Sequence, residues 1–109
     1  PELYLGPTRW DDYPGLKLVG DWSREAEFST PKSGATLELK FDAKSAHLVM
    51  TPVDGQATVE VYLDNQLVKT IEVTKNMLYD LVKLDSPGVH NLRLVFPEGE
   101  VELFAFTFG

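Results

Sequence analysis

The chain has 109 residues, 43% hydrophobic, 11% aromatic and 25% charged, which is the make-up of one ordinary globular domain with a single core. Its net charge of −7, with ten Lys and Arg residues scattered singly along the sequence, argues against nucleic acid and anionic membrane surfaces as partners. It contains no cysteine, so a disulfide, a thiolate zinc site and a cysteine nucleophile are excluded within it. No apolar run approaches the roughly 20 residues that cross a bilayer, and a membrane-inserted segment is not expected. The chain opens on Pro1-Glu2-Leu3 rather than Met, which reads as a piece of a longer or processed protein.

In chain order, residues 1–15 carry three prolines and two glycines among aromatic and acidic residues and read as an irregular lead-in, with a short strand at residues 3–5. The alternating stretch 16–22 predicts a strand, with Gly20 marking a bulge or a close approach. Residues 25–29 predict a weaker strand, and residues 30–34 a loop. From there the period-two pattern is regular. Leu37, Leu39 and Phe41 face inward, residues 45–50 form a further strand, and residues 52–55 turn. Residues 57–73 predict a β-hairpin, with Val59, Val61 and Leu63 on the buried face and a tight turn at Asp64-Asn65-Gln66. Strands follow at 77–84 and 89–96, separated by the turn Asp85-Ser86-Pro87-Gly88. The last strand, 101–108, is apolar on both sides and is expected to be covered on both. Eight or nine short strands with turns between them predict an all-β fold, an antiparallel jelly-roll β-sandwich of the galactose-binding or carbohydrate-binding-module type spanning residues 16–109.

Four kinds of chemistry can be weighed on these elements. His47 and His90 are the only histidines, and no Gly-X-Ser-X-Gly elbow accompanies them, so a Ser–His–Asp site has no sequence signature and no catalytic residue is assigned. The acid pairs Asp11-Asp12 and Glu25/Glu27 lie on a loop and on one strand face, where solvated charge is the expected state rather than a hydrolytic cleft. No EF-hand or His/Cys ligand spacing occurs; the carboxylates Asp11, Asp12, Asp21 and Asp42 are the only weak candidates for a structural calcium, and no other cofactor is implied. Saccharide rings stack on exposed aromatic rings while polar groups read their hydroxyls. Trp10, Tyr13, Tyr62 and Tyr79 are the candidate platforms, and Thr58, Glu60 and Asp64 share the face of Tyr62. Tyr79 and Trp22 also fit a core-capping role with a polar tip at the wet edge.

Several short motifs together resemble one family. Tyr4-Leu5-Gly6 with Arg9, Gly20-Asp21-Trp22, His47-Leu48-Val49, residues 78–82 (LYDLV) and the terminal residues 104–109 (FAFTFG) resemble, in order, the C-terminal domain of DipZ-like proteins. These are thioredoxin-like thiol–disulfide proteins, some fused to a cytochrome c biogenesis membrane segment. The resemblance implies a jelly-roll domain similar to carbohydrate-binding modules, following a thioredoxin-like domain that carries the Cys-X-X-Cys pair upstream of Pro1. It implies an extracytoplasmic location, in the periplasm or cell envelope, and a non-catalytic accessory role. Leu3, Tyr4, Leu5, Arg9 and Trp10 would then lie at the junction with the preceding domain, and a cell-envelope carbohydrate is the alternative partner.

Overall fold

The computed structural model describes residues 3–109. Among the described residues there are nine strands: β1 (Leu3–Leu5), β2 (Leu16–Val19), β3 (Trp22–Arg24), β4 (Ser29–Pro31), β5 (Thr36–Pro52), β6 (Ala57–Leu63), β7 (Gln66–Val73), β8 (Met77–Glu98) and β9 (Val101–Phe108). A 3-10 segment, Pro7–Asp12, sits between β1 and β2. All pairings are antiparallel.

The long ribbon of β5 and β8 organises the molecule. At about 3.3 Å per residue, a straight strand the length of β8 would span roughly 70 Å. The longest dimension of the molecule is 36 Å, so the ribbon has to bend. It bends where the register breaks, between Ala43↔Gly88 and Ser45↔Lys83, leaving residues 84–87 out of step with β5. Its upper half joins β2 on one edge and β6 then β7 on the other, giving a first layer ordered β2-β5-β8-β6-β7. Its lower half joins β9, which carries β1 and β4, with β3 beyond β4, giving the second layer.

The core between the layers holds Leu37, Leu39 and Phe41 of β5, Val59 and Val61 of β6, Leu92 and Leu94 of β8, and Leu103, Phe106 and Phe108 of β9. The lead-in contributes as well. Trp10 is 1% exposed, packs its ring 5.6 Å from that of Phe106, and donates its indole N–H to the Leu5 carbonyl at 3.1 Å.

The hairpin at 57–73 forms as expected, with the loop reduced to Asp64-Asn65 at φ 49° and 70°. Two consecutive positive-φ residues make the mirror-image type I turn, whose twist matches that of the strands it joins. Gly20 has φ +88°, and a Cβ there would stand 3.0 Å from Ala35 Cα, the close approach its place in the pattern suggested.

Four local expectations change. Residues 77–84 and 89–96 are one strand, because the expected turn falls on an out-of-register bulge in β8, residues 84–87, with Gly88 already paired to Ala43; proline, having no N–H, is tolerated where no ladder bond is needed. Likewise residues 45–50 continue β5 without a break. Residues 25–28 form the turn between β3 and β4, closed by Glu25 N–H to the Phe28 carbonyl, and Thr30 and Pro31 belong to a strand. Finally, β9 does not keep the simple alternation expected of it, and Phe104 packs on Phe28, with ring centroids 5.4 Å apart, away from Phe106 and Phe108. Between Leu48↔Phe106 and Met50↔Leu103 it has one more residue than β5, and this bulge turns Val101, Leu103, Phe106 and Phe108 all inward.

Candidate functional site

The outer face of the first layer is open. On each strand the inward residues alternate with outward ones, so Glu38 and Lys40 stand between the buried Leu37, Leu39 and Phe41, and Arg93 between Leu92 and Leu94. Backbone register then lines up one cross-strand row over four strands: Lys17 opposite Glu38, Glu38 opposite Arg93, and Arg93 opposite Tyr62. Lys40 and Asn91 pair in the next row. Between β2, β5, β8 and the Asp64-Asn65 turn lies a depression of about 380 Å³, whose polar walls are Lys17, Glu38, Lys40, Asn65, Asn91 and Arg93.

The sequence candidates distribute unevenly around it. Tyr62 is half-buried on this face, but one side of its ring is covered by Arg93, whose guanidinium carbon lies 4.5 Å from the ring centroid. Tyr62 therefore positions a cation on that side rather than offering a bare stacking surface. Asp64 has both carboxylate oxygens engaged. Oδ1 accepts the Asn91 backbone N–H at 2.9 Å, and Oδ2 lies 2.7 Å from His90 Nδ1. The Asn91 N–H and then the His90 ring hold the Asp64 carboxyl below its ordinary pKa of 3.8. Thr58 donates to Glu72 at 3.1 Å, and Gln56 reaches the same carboxylate at 2.9 Å. Glu60 is half-buried opposite Val95 and Thr70.

Two of the expected aromatic platforms, Trp10 and Tyr79, are corrected by burial and by their hydrogen bonds. Trp10 is inside the core. Tyr79 is 8% exposed; its hydroxyl donates to the Lys75 carbonyl at 2.7 Å and accepts the N–H groups of Thr74 and Lys75, tying down the β7–β8 loop. Tyr13 is half-buried and donates its hydroxyl to the Lys40 carbonyl at 3.2 Å. Of the residues expected at a domain junction, Leu5 and Trp10 are likewise core residues, whereas Arg9 is exposed. The side chains of Leu3 and Tyr4 lie outside the described residues; their backbone pairs with Phe108 and Thr107.

The acidic candidates for calcium do not assemble. Asp11 pairs with Arg24 at 3.2 Å, and among the described residues no three Asp, Glu or His groups converge as metal ligands around Asp11, Asp12, Asp21, Asp42 or elsewhere.

One constellation escaped the sequence reading. On the outer face of the second layer, Asp80 Oδ1 lies 2.7 Å from His47 Nδ1, and His47 Nε2 lies 3.2 Å from Ser45 Oγ. With Nδ1–H donating to Asp80, Nε2 is left to accept the Ser45 hydroxyl, the connectivity of a hydrolytic triad. Lys69 Nζ donates to the Asp80 carbonyl at 2.9 Å, and Lys83 stands 3.9 Å from its carboxylate. The His47 hydrogen bond is the main cause of a lowered Asp80 pKa. Acyl transfer also needs donors aimed at the developing oxyanion. The Ser45 N–H is committed to the Gly109 carbonyl at 3.1 Å and is not free to serve as such a donor. As built, the network cross-links β5 and β8. The signal for half of it was legible: Ser45 and His47 are two apart and share a strand face.

These two bent layers define a class of protein, the jelly-roll β-sandwich of the carbohydrate-binding-module type. A calcium- and xylotriose-bound carbohydrate-binding module, CBM36, superposes with TM-score 0.68 at 10% identity, 98% of this chain covering 99% of that one. A family two carbohydrate esterase from Cellvibrio japonicus gives TM-score 0.84 at 16% identity over 99% of this chain and 33% of its own. A cellohexaose complex of a family two carbohydrate esterase from Clostridium thermocellum gives 0.76 at 22% identity over 87% and 31%. The chain thus spans about a third of those esterases, and at these identities the likeness is one of fold. No curated protein sequence matches. Residues 12–109 match the family described as the thioredoxin like C-terminal domain, and the chain belongs to that family. Among the described residues no helix is long and apolar enough to cross a membrane.

Proposed function

We propose that this domain is a non-catalytic accessory module of an extracytoplasmic thioredoxin-like thiol–disulfide oxidoreductase, and that it positions the redox domain by binding a cell-envelope glycan on the outer face of its first layer. The observation that carries the reading is the open depression walled by Lys17, Glu38, Lys40, Asn65, Asn91 and Arg93, with Tyr62 behind Arg93. Sugar sites need a shallow concave surface with hydrogen-bonding groups converging on hydroxyls, and this face supplies one on rigid strands. Family membership supports the accessory role, and the absence of cysteine leaves the redox chemistry to the preceding domain. The Ser45–His47–Asp80 network joins β5 to β8, and its Ser45 N–H is taken up by the Gly109 carbonyl, which supports a role as a cross-strand staple.

A docking role for the lead-in is the second reading. It is favoured by β1, which adds to β9 at the edge of the second layer, so that a preceding domain would enter beside that layer's outer face, where Leu78 is 46% exposed. Burial of Leu5 and Trp10 removes two of the five residues expected at that junction. A glycan array probed with the isolated domain and with its Arg93→Ala variant separates the two. Binding that the variant loses supports the glycan reading, and no binding to any glycan sinks it.

A further inference from the structure

The depression on the first layer has an unusual charge balance for this protein. The chain carries a net −7 with ten Lys and Arg residues, yet three of those ten, Lys17, Lys40 and Arg93, line this one surface against a single lining carboxylate, Glu38. Among the described residues none of these four groups is in an ion pair, although Glu38 lies directly across from both Lys17 and Arg93. Of the acids nearby, Asp64 at the rim is occupied by His90 and Asn91, and Glu60 lies one row further along β6. At physiological salt, charges beyond about 8 Å are largely screened, so a ligand in the depression meets this local excess of cations rather than the overall charge.

Arg93 is the best prepared of the three. Tyr62 lies under its guanidinium at 4.5 Å, which sets the plane of the fork, and Nη1 lies 3.5 Å from Asn65 Oδ1. A guanidinium fixed in this way matches a carboxylate with two parallel N–H bonds. Glu38 narrows the choice of ligand. Placed between Lys17 and Arg93, it would repel a compact multiply charged anion, but it accepts hydrogen bonds from hydroxyls, and the Asn91 side-chain amide on the next row can both donate and accept. The site therefore suits a molecule that carries one carboxylate beside several hydroxyls.

We infer that the depression binds uronate residues of an acidic polysaccharide, with Arg93, assisted by Lys17 and Lys40, holding the carboxylate, and Glu38 and Asn91 reading ring hydroxyls. The inference rests on the glycan-binding reading and narrows it to acidic sugars. Galacturonate and galactose differ only in the C6 carboxylate, so the test is calorimetric titration of the domain with trigalacturonic acid and with galactotriose at low and physiological salt. Trigalacturonic acid is expected to bind, to weaken as salt rises, and to bind at least about tenfold more tightly than galactotriose. Arg93→Ala should weaken it by about tenfold or more, with Arg93→Lys recovering only part, and Lys17→Ala or Lys40→Ala should each weaken it about two- to fivefold. Lys75→Ala, in the β7–β8 loop, should leave it unchanged, with far-UV circular dichroism confirming that each variant folds. Equal binding of the two trisaccharides would overturn the acidic preference while leaving glycan binding intact. Trigalacturonic acid binding that Arg93→Ala does not weaken would overturn the placement of the site, and binding of neither sugar would overturn the uronate inference. Array binding of other glycans, lost in Arg93→Ala, would in that last case still uphold the broader reading.

Discussion

Trp10 decides whether residues 1–15 are a detachable leader or part of the domain. At 1% exposure, its replacement by alanine removes a large side chain packed on Phe106, a loss that in protein cores costs about 3–5 kcal/mol. It also leaves the Leu5 carbonyl without its indole donor, adding about 1 kcal/mol. A total of about 4–6 kcal/mol is a large part of the 5–15 kcal/mol that holds a domain of this size together. Trp10→Ala should accordingly be unfolded or close to it, whereas Trp10→Phe, which keeps an aromatic ring but not the N–H, should lose only about 1–2 kcal/mol. Equilibrium urea unfolding followed by far-UV circular dichroism measures both, since a tryptophan change would confuse a fluorescence signal. A Trp10→Ala protein within about 1 kcal/mol of wild type would show that the lead-in does not share the core, and would return Trp10 to the surface role its sequence context suggested.

Three further outcomes follow from the geometry. Gly99 has φ +80°, and a Cβ there would meet Gln56 O at 2.6 Å and Ala57 Cα at 2.8 Å, so Gly99→Ala should cost at least about 2 kcal/mol in urea unfolding; a neutral result would contradict the close packing of that turn on β6. The Asp64 carboxyl is held below 3.8 in the folded state, so its stabilisation is fully present above that pH and disappears as pH falls through the lower folded value. Asp64→Asn should then be less stable than wild type at pH 7, with the gap closing on the acid limb of a pH series; a gap constant down to acid unfolding would refute the assigned hydrogen bonds. Ser45→Ala should leave the rate of p-nitrophenyl acetate hydrolysis at the wild-type level, and a tenfold fall would make the Ser45–His47–Asp80 network catalytic rather than structural.

Much of the architecture was legible because local chemistry agreed with it. The 57–73 hairpin needed only alternation and a turn pair able to take positive φ, both of which are written in consecutive residues. The long strands were not, since Asp85-Ser86-Pro87-Gly88 has the composition of a turn, and only pairing with β5 shows that a bulge at residues 84–87 takes its place. The same is true of β9, where a single extra residue overrides the alternation of Phe104, Phe106 and Phe108. The site was less legible still. Lys17, Glu38 and Arg93 each read as one more solvated outward residue, and what joins them is the strand order β2-β5-β8-β6, a long-range property that no local pattern encodes. Tyr62 was found because its strand is regular, but its covering by Arg93 depends on the neighbouring strand.

The central claim is that the outer face of the first layer is the binding face, and amide chemical-shift mapping tests it most directly. A glycan that binds in the array, titrated into the isotope-labelled domain, should perturb Lys17, Glu38, Arg93 and Tyr62 and the adjoining Lys40, Asn65 and Asn91. Perturbations centred instead on His47, Leu78 and Asp80 of the second layer would contradict the account.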